Sequence, residues 1–255
     1  MIGAIVGDIV GSIYEFHNLR SKEFEFFTEE NFFTDDTVLT IATAEALLND
    51  QDFARYYRQY TMDYPGRGYG AMFSQWAHAS DGKPYRSFGN GSAMRVSPVA
   101  LAVDSLDEVL NLAEASARVT HNHPEGIKGA QATALAILLA RKGSSKAAIQ
   151  QEIETRFEYR FNRTIDEIRE TNRFDETCQG TLPVALTCVF KGTSFEDVIR
   201  TAVSVGGDTD TICCIAGSIA EMVYGVPDEI ATKAFSYLDS DLRAIVRDFD
   251  SVFRK

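Results

Sequence analysis

The chain has 255 residues, of which 45% are hydrophobic, and its formal net charge is −12. This length can bury one substantial core, so we predict a single domain over residues 1–255. The negative charge repels nucleic acid and anionic lipid and disfavours either as the main partner. Residues 1–13 are apolar but include Asp8 and no basic residue, which is typical of neither a signal peptide nor a membrane span. We expect a cytoplasmic monomer that binds neither nucleic acid nor membranes.

Three glycines spaced by four open the chain, at Gly3, Gly7 and Gly11. On a helix they form one bare stripe, which indicates close packing against another helix. A dinucleotide-binding fingerprint needs a different glycine spacing after a strand and is disfavoured. Asp8 and Glu15 lie seven residues apart and so share a helix face. If that face is buried, the two carboxylates need metals, cations or protons; otherwise both face solvent.

Apolar residues recur at helical spacing along most of the chain, so we predict an all-α fold of roughly ten helices. Alternating patterns are confined to 24–27 and 157–161, which we interpret as a local hairpin or loop. Helix starts are predicted at Asp52, Ser105, Pro124, Ser144, Thr164, Ser194 and Pro227, and helix ends at Gly143, Gly192 and Gly225.

Two irregular stretches interrupt this helical pattern, at residues 22–31 and 82–91. Long loops without regular structure are more often functional than decorative. We therefore predict that both stretches form walls of a cleft.

Two acidic clusters lie far apart in the chain, at 34–37 and at 206–211. Each places carboxylates and hydroxyls before an apolar helix, and such oxygen ligands suit Mg²⁺, Mn²⁺ or Ca²⁺. Asp208 and Asp210 would diverge by about 200° on a continuous helix, so they can converge only where the preceding glycines free the backbone. Helix capping explains either cluster alone about as well. Together they favour a two-part metal site.

A glycine loop at 89–95 opens a further helix and ends in Arg95. Its backbone amides suit an anion such as phosphate, and an ordinary turn explains the pattern equally well. His121 and His123 lack additional nitrogen or sulfur ligands nearby, which argues against zinc. They are interpreted as ligand contacts, with a solvated turn as the alternative.

Five motifs together, in this order, resemble the ADP-ribosylglycohydrolase family, and the resemblance covers nearly the whole chain. They are Gly7-Asp8-x-x-Gly11-Ser12-x-x-Glu15, Thr34-Asp35-Asp36-Thr37, Gly89-Asn90-Gly91-Ser92-Ala93-Met94-Arg95, Thr120-His121-x-His123-Pro124-x-Gly126 and Gly206-Gly207-Asp208-Thr209-Asp210-Thr211.

The resemblance implies a compact orthogonal helix bundle with a binuclear Mg²⁺ or Mn²⁺ site at the base of an ADP-ribose cleft. The implied metal ligands are Thr34, Asp35, Asp36, Asp208, Asp210 and Thr211. The implied substrate contacts are Gly89, Asn90, Gly91, Ser92, Met94, His121 and His123. Catalysis is assigned to Glu15, Asp35 and Asp36, any of which is a candidate general base.

The implied activity is release of ADP-ribose from an acceptor by hydrolysis of the glycosidic bond at C1″. The acceptor is a protein side chain such as arginine, or a small ADP-ribose conjugate. Two alternatives stay open. A carboxylate-bound metal pair also serves nucleotide phosphohydrolysis, and a degenerate member of this fold could bind ADP-ribose without catalysis or serve structurally, like a crystallin.

Overall fold

The computed structural model describes residues 1–80 and 82–253. Over these ranges the chain forms fifteen α-helices and one 3₁₀ turn, and no strand. The helices are α1 (Ile2–Gly11), α2 (Asp35–Leu48), α3 (Phe53–Asp63), α4 (Ala71–His78), α5 (Gly91–Met94), α6 (Ser97–Ala102), α7 (Leu106–Arg118), α8 (Pro124–Arg141), α9 (Lys146–Phe157), α10 (Ile165–Thr171), α11 (Cys178–Lys191), α12 (Phe195–Ser204), α13 (Thr209–Tyr224), α14 (Asp228–Tyr237) and α15 (Ser240–Phe253). The 3₁₀ turn spans Ser12–Tyr14. The all-α prediction is confirmed, with more helices than expected.

Side-chain caps explain why the helix starts are readable from sequence. Asp52, Ser105, Thr164 and Ser194 each accept a hydrogen bond from the amide three residues later, as predicted. The predicted start at Ser144 is wrong by one residue, because Ser145 is the cap of α9. The Ser144 amide instead donates to the Leu139 carbonyl and completes the end of α8, where Gly143 adopts a positive φ of 80°.

The stretch at 22–31 does not line the cavity that opens beside the two acidic clusters, so the prediction that it forms a cleft wall is wrong. The Arg200 side chain from α12 donates to the carbonyl oxygens of Lys22 and Phe24, the latter at 2.7 Å. The Tyr237 hydroxyl from α14 donates to the Thr28 carbonyl at 2.7 Å. These bonds tie the stretch to two helices outside the cavity. Of the two stretches interpreted as hairpin or loop, 24–27 is a loop, and 157–161 is a loop from residue 158 onward, because Phe157 is the last residue of α9.

Helices α1 and α13 form the centre of the core, and every residue of α1 is buried. They approach so closely that a Cβ placed on Gly7 would lie 2.0 Å from the Cys213 carbonyl oxygen. A Cβ on Gly3 would lie 2.3 Å from the Gly217 carbonyl oxygen. The glycine stripe therefore serves helix packing, as predicted. At Gly11, the same contact brings the start of α13 beside the end of α1.

Gly7→Ala is expected to destabilise the fold by about 3 kcal/mol, because the added methyl overlaps backbone that cannot move independently. In a chain of this length the midpoint of thermal unfolding should fall by about 10 °C. The control is Gly70→Ala, since a Cβ there meets nothing within 4 Å and the backbone φ is −56°. Equal midpoints for Gly7→Ala and Gly70→Ala would contradict the close-packing interpretation.

The described buried apolar side chains form one core cluster. Helix α13 lies inside it and packs against α1, α8, α11 and α12. None of the described helices combines the length and apolar character that crossing a bilayer requires.

Candidate functional site

A cavity of about 550 Å³ opens where the first turns of α2 and α13 meet, a size typical of small-molecule sites. Three further segments surround it. They are the end of the 3₁₀ turn with Glu15, the loop at 85–91, and the segment at 66–73. The prediction that the stretch at 82–91 forms a wall is thus confirmed for its residues from Tyr85 onward.

Asp8 holds the acidic cluster at 34–37, the first acidic turn, in place; the cluster at 206–211 is the second acidic turn. Its carboxylate accepts hydrogen bonds from the Thr34 amide at 2.9 Å, the Thr34 hydroxyl at 2.7 Å and the Thr37 amide at 3.0 Å. These bonds favour the ionised carboxylate, but burial is the larger effect and raises the pKa of Asp8 above its usual value. Glu15 is not on the same α-helix as Asp8, because α1 ends at Gly11 and a 3₁₀ turn follows. The prediction that one helix carries both carboxylates is wrong.

The second acidic turn depends on two glycines in the left-handed region, with φ of 63° at Gly206 and 86° at Gly207. Asn18 clamps this turn, since its side chain accepts from the Gly207 amide at 2.8 Å and donates to the Gly207 carbonyl at 3.1 Å. Asp208 is the N-cap residue of α13 but makes no side-chain cap bond. Its carboxylate instead accepts from the Asn90 side chain at 2.7 Å. The bond from Asn90 gives this carboxylate a contact beyond helix capping.

The two turns meet at the base of the cavity. Glu15, Asp208 and Asp210 each offer a carboxylate oxygen, and the three oxygens lie within 4.8 Å of one another. The Thr211 hydroxyl donates to Asp36 Oδ2 at 3.2 Å. The other oxygen, Asp36 Oδ1, is buried and has no hydrogen-bond partner among the residues that the structure describes. A buried orphan carboxylate oxygen beside three converging carboxylates fits a hard divalent cation.

Burial and mutual repulsion raise the pKa values of the acidic groups. Burial comes first and neighbouring carboxylates second for Asp35, Asp36 and Asp210, whose pKa values lie well above the usual range. The pKa of half-buried Glu15 rises to about 7, through burial first and then the charge of Asp208. Within residues 1–80 and 82–253, no lysine or arginine forms an ion pair with these groups. Bound cations would supply the missing positive charge.

The glycine loop lines the cavity beside the second acidic turn. The Asn90 amide donates to the Glu176 carbonyl at 2.7 Å, and the Asn90 side chain donates to Asp208, so this residue joins the loop to that turn. The cavity lining also includes Gly89, Gly91, Met94 and His121.

Two predicted substrate contacts do not line the cavity. The Ser92 hydroxyl donates to the Gly126 carbonyl at 2.7 Å and so anchors the glycine loop on α8. His123 is the N-cap of α8, where its Nδ1 accepts from the Glu125 amide at 3.1 Å. Its ring packs against Phe88 at a centroid distance of 5.3 Å. Both side chains therefore contact the residues of the wall and not the cavity itself.

The segment at 66–73 forms a wall of the cavity that was not predicted from the sequence. The Asp35 amide donates to the Arg67 carbonyl at 2.8 Å, and a Cβ on Gly68 would lie 3.2 Å from Asp35 Oδ1. Three alternating glycines before α4, Gly66, Gly68 and Gly70, are the signal that could have revealed it. Phe16 and Glu176 also line the cavity without having been predicted.

Comparison with known proteins gives consistent results. The family model for ADP-ribosylglycohydrolase matches residues 1–254. ADP-ribosylhydrolase ARH3 from Homo sapiens is 28% identical, over 100% of this chain and 93% of the relative. ADP-ribosylarginine hydrolase Tri1 from Pseudomonas putida is 25% identical, over 89% and 70% respectively.

The fold agrees as well. A solved structure described as an ADP-ribosylglycohydrolase-related protein complex superposes with a TM-score of 0.70 at 23% identity, covering 98% of this chain and 96% of that chain. The all-α architecture, the two acidic turns at one cavity and the match over nearly the full length lead to one conclusion. The chain belongs to the ADP-ribosylglycohydrolase family.

Proposed function

We propose that the chain is a Mg²⁺- or Mn²⁺-dependent hydrolase that releases ADP-ribose by cleaving the glycosidic bond at C1″ of an ADP-ribosylated acceptor. The observation that carries this proposal is the meeting of two acidic turns at the base of a cavity of about 550 Å³. A glycine loop forms another part of the cavity wall. Family membership and the names of the relatives, ADP-ribosylhydrolases, support the choice of substrate class.

The ligands proposed for two cations are Thr34, Asp35, Asp36, Asp208, Asp210 and Thr211. All six line the cavity. When bound, the cations would hold the hydroxyls of the distal ribose and acidify an attacking water. The bond from Asn90 engages Asp208 Oδ2 and so restricts how this carboxylate can turn.

We assign the general base to Glu15. Asp36 is only 1% exposed, whereas Glu15 and Asp35 are both half-buried at the cavity. Of these two, only Glu15 lies outside the proposed cation ligands. A carboxylate in this position can accept the proton of a water that enters from the cavity. The surrounding carboxylates would stabilise the positive charge that develops at the anomeric carbon during glycoside cleavage. The loop at Gly89–Gly91 and His121 would bind the pyrophosphate.

The proposal is tested by assaying product release from ADP-ribosyl-arginine, ADP-ribosyl-serine peptide and O-acetyl-ADP-ribose, each with Mg²⁺, Mn²⁺ or EDTA. Metal-dependent appearance of free ADP-ribose is expected from at least one of the three conjugates. The conjugate with the highest kcat/KM identifies the class of acceptor. Release of AMP or inorganic phosphate would instead show a phosphohydrolase. Binding of ADP-ribose without turnover of any conjugate would show a non-catalytic protein.

Glu15→Gln is expected to lower kcat by about 10²- to 10³-fold, because the amide cannot accept the proton. Manganese binding, measured by titration calorimetry, should persist because Glu15 is not among the six proposed cation ligands. The matched control is Glu176→Gln, which changes an exposed carboxylate lining the same cavity. An unchanged kcat in Glu15→Gln would show that Glu15 is not the general base and would leave Asp35 or Asp36 as the candidate.

A further inference from the structure

Arg95 ends the glycine loop and is a fully buried cation, with 0% of its surface exposed, at the lining of the cavity. Its guanidinium lies 4.2 Å from the centre of the Tyr57 ring, and two of its nitrogens have no hydrogen-bond partner within the described ranges. The remaining nitrogen, Nη2, donates to the Thr120 hydroxyl at 2.8 Å and to the Ser116 carbonyl at 3.3 Å. Burying a charge without an acid is unfavourable, so these few bonds largely determine where the guanidinium lies.

The hydrogen bond from Arg95 to Thr120 determines the direction in which the Thr120 hydroxyl donates. Thr120 Oγ1 lies 2.7 Å from His121 Nδ1, and this oxygen already accepts from Arg95, which has only donors. The one hydroxyl proton of Thr120 has no other acceptor in the described part of the chain than Nδ1. The oxygen has a second lone pair and could also accept from Nδ1–H, but the hydroxyl proton would then be buried without an acceptor. The arrangement that satisfies every polar hydrogen has Nδ1 as the acceptor, so the neutral ring carries its proton on Nε2.

The protonated nitrogen faces the glycine loop. A Cβ on Gly91 would lie 3.2 Å from His121 Nε2, and a Cβ on Gly89 would lie 3.5 Å from it. His121 lines the cavity at this point. Burial, and then the charge of Arg95, hold the pKa of His121 well below its usual range, so the ring is neutral at pH 7. For a neutral ring, the tautomer decides whether a donor or an acceptor faces the ligand.

We propose that Arg95 and Thr120 are positioning residues that fix His121 as an Nε2–H donor directed at the glycine loop, where it donates to an anionic oxygen of the ligand. The identification of that oxygen as pyrophosphate rests on the proposed function. The tautomer does not rest on it, because it follows from the three side chains alone.

The first test is the long-range ¹H–¹⁵N spectrum of the ¹⁵N-labelled protein, with the His121 signals assigned through a His121→Gln variant. We expect the proton-bearing nitrogen to be Nε2. Two histidines calibrate the spectrum within the same molecule. His78 Nδ1 lies 2.8 Å from the Ser74 carbonyl, which only accepts, and so identifies the Nδ1–H form. His123 Nδ1 accepts from an amide and so identifies the Nε2–H form. A proton on Nδ1 of His121 would overturn the proposal.

The second test compares Thr120→Ser with Thr120→Val. Serine keeps the hydroxyl and should keep the wild-type spectrum. Valine removes it and should shift the His121 signals toward the Nδ1–H form or a mixture. The dissociation constant for ADP-ribose and KM should rise about tenfold in Thr120→Val alone, with little change in kcat. Wild-type affinity and KM in Thr120→Val would refute the positioning role.

These readouts separate two failures. If the wild-type protein does not bind ADP-ribose, the proposed function fails, while the spectrum still decides the tautomer. If Thr120→Val does not fold, the wild-type spectrum and Thr120→Ser remain decisive, since a tautomer other than Nε2–H in either protein contradicts the proposal.

Discussion

Asp36→Asn and Asp210→Asn are each expected to lower kcat/KM by at least about a thousandfold, because each removes a charge from the proposed cation ligands. The two carboxylates come from opposite acidic turns, and the Thr211 hydroxyl beside Asp210 donates to Asp36. Loss of either should therefore disable the same centre. The measurement is ADP-ribose release at saturating Mn²⁺, with metal content determined on the same samples.

The same variants should keep the fold. Asparagine preserves the side-chain volume, and removing one buried charge relieves repulsion among the remaining carboxylates. Metal-free Asp36→Asn and Asp210→Asn should unfold at or above the wild-type temperature. Asp104→Asn is the control, since this exposed residue pairs with Arg141 away from the cavity and its loss should leave turnover unchanged. Full activity in both site variants would refute the metal assignment.

Without metal, the protein is expected to lose stability as the pH rises from about 4 to about 7. The pKa of Glu15 rises from 4.5 to about 7 in the folded state, and those of Asp36 and Asp210 rise well above 3.8. The folded state therefore binds more protons than the unfolded chain over this range. Linkage then makes the free energy of unfolding fall with rising pH, and its full value is kept only below the unfolded pKa values. Thermal unfolding in EDTA at pH 5 and pH 8 measures this slope.

Divalent metal should reverse the loss at pH 8 and do little at pH 5, where protons compete for the same oxygens. Two ions, each at a hundred times its dissociation constant, would stabilise the fold by about 5 kcal/mol. The unfolding midpoint at pH 8 should then rise by more than about 10 °C. The double variant Asp36→Asn with Asp210→Asn should lose most of this rise. An equal Mn²⁺ effect in wild type and double variant would place the metal elsewhere.

Much of the helical architecture is predictable because its determinants are local. Asp52, Ser105 and Ser194 cap helices through amides three residues away, and the glycine stripe of α1 is visible within a dozen residues. The number of helices was underestimated. The short helices α4, α5, α6 and α10 span only four to eight residues each, too few to show a clear period.

The candidate site divides in the same way. The acidic turns and the glycine loop are recognisable because residue type and backbone freedom are local properties of a short segment. The roles of Ser92 and His123 were not predictable, because a hydroxyl or imidazole serves a ligand or a helix equally well until its neighbours are known. Family resemblance did not remove this ambiguity.

The sequence by itself determined an all-helical chain with two acidic turns, a close-packed glycine stripe and a candidate anion loop. Only the tertiary structure decided which carboxylates converge. Asp8 holds the Thr34 turn by hydrogen bonds, whereas Glu15 reaches the carboxylates of Asp208 and Asp210. The Asn90 contact to Asp208 spans 118 positions in the chain. Side-chain direction over such separations depends on how helices pack, which no local pattern encodes.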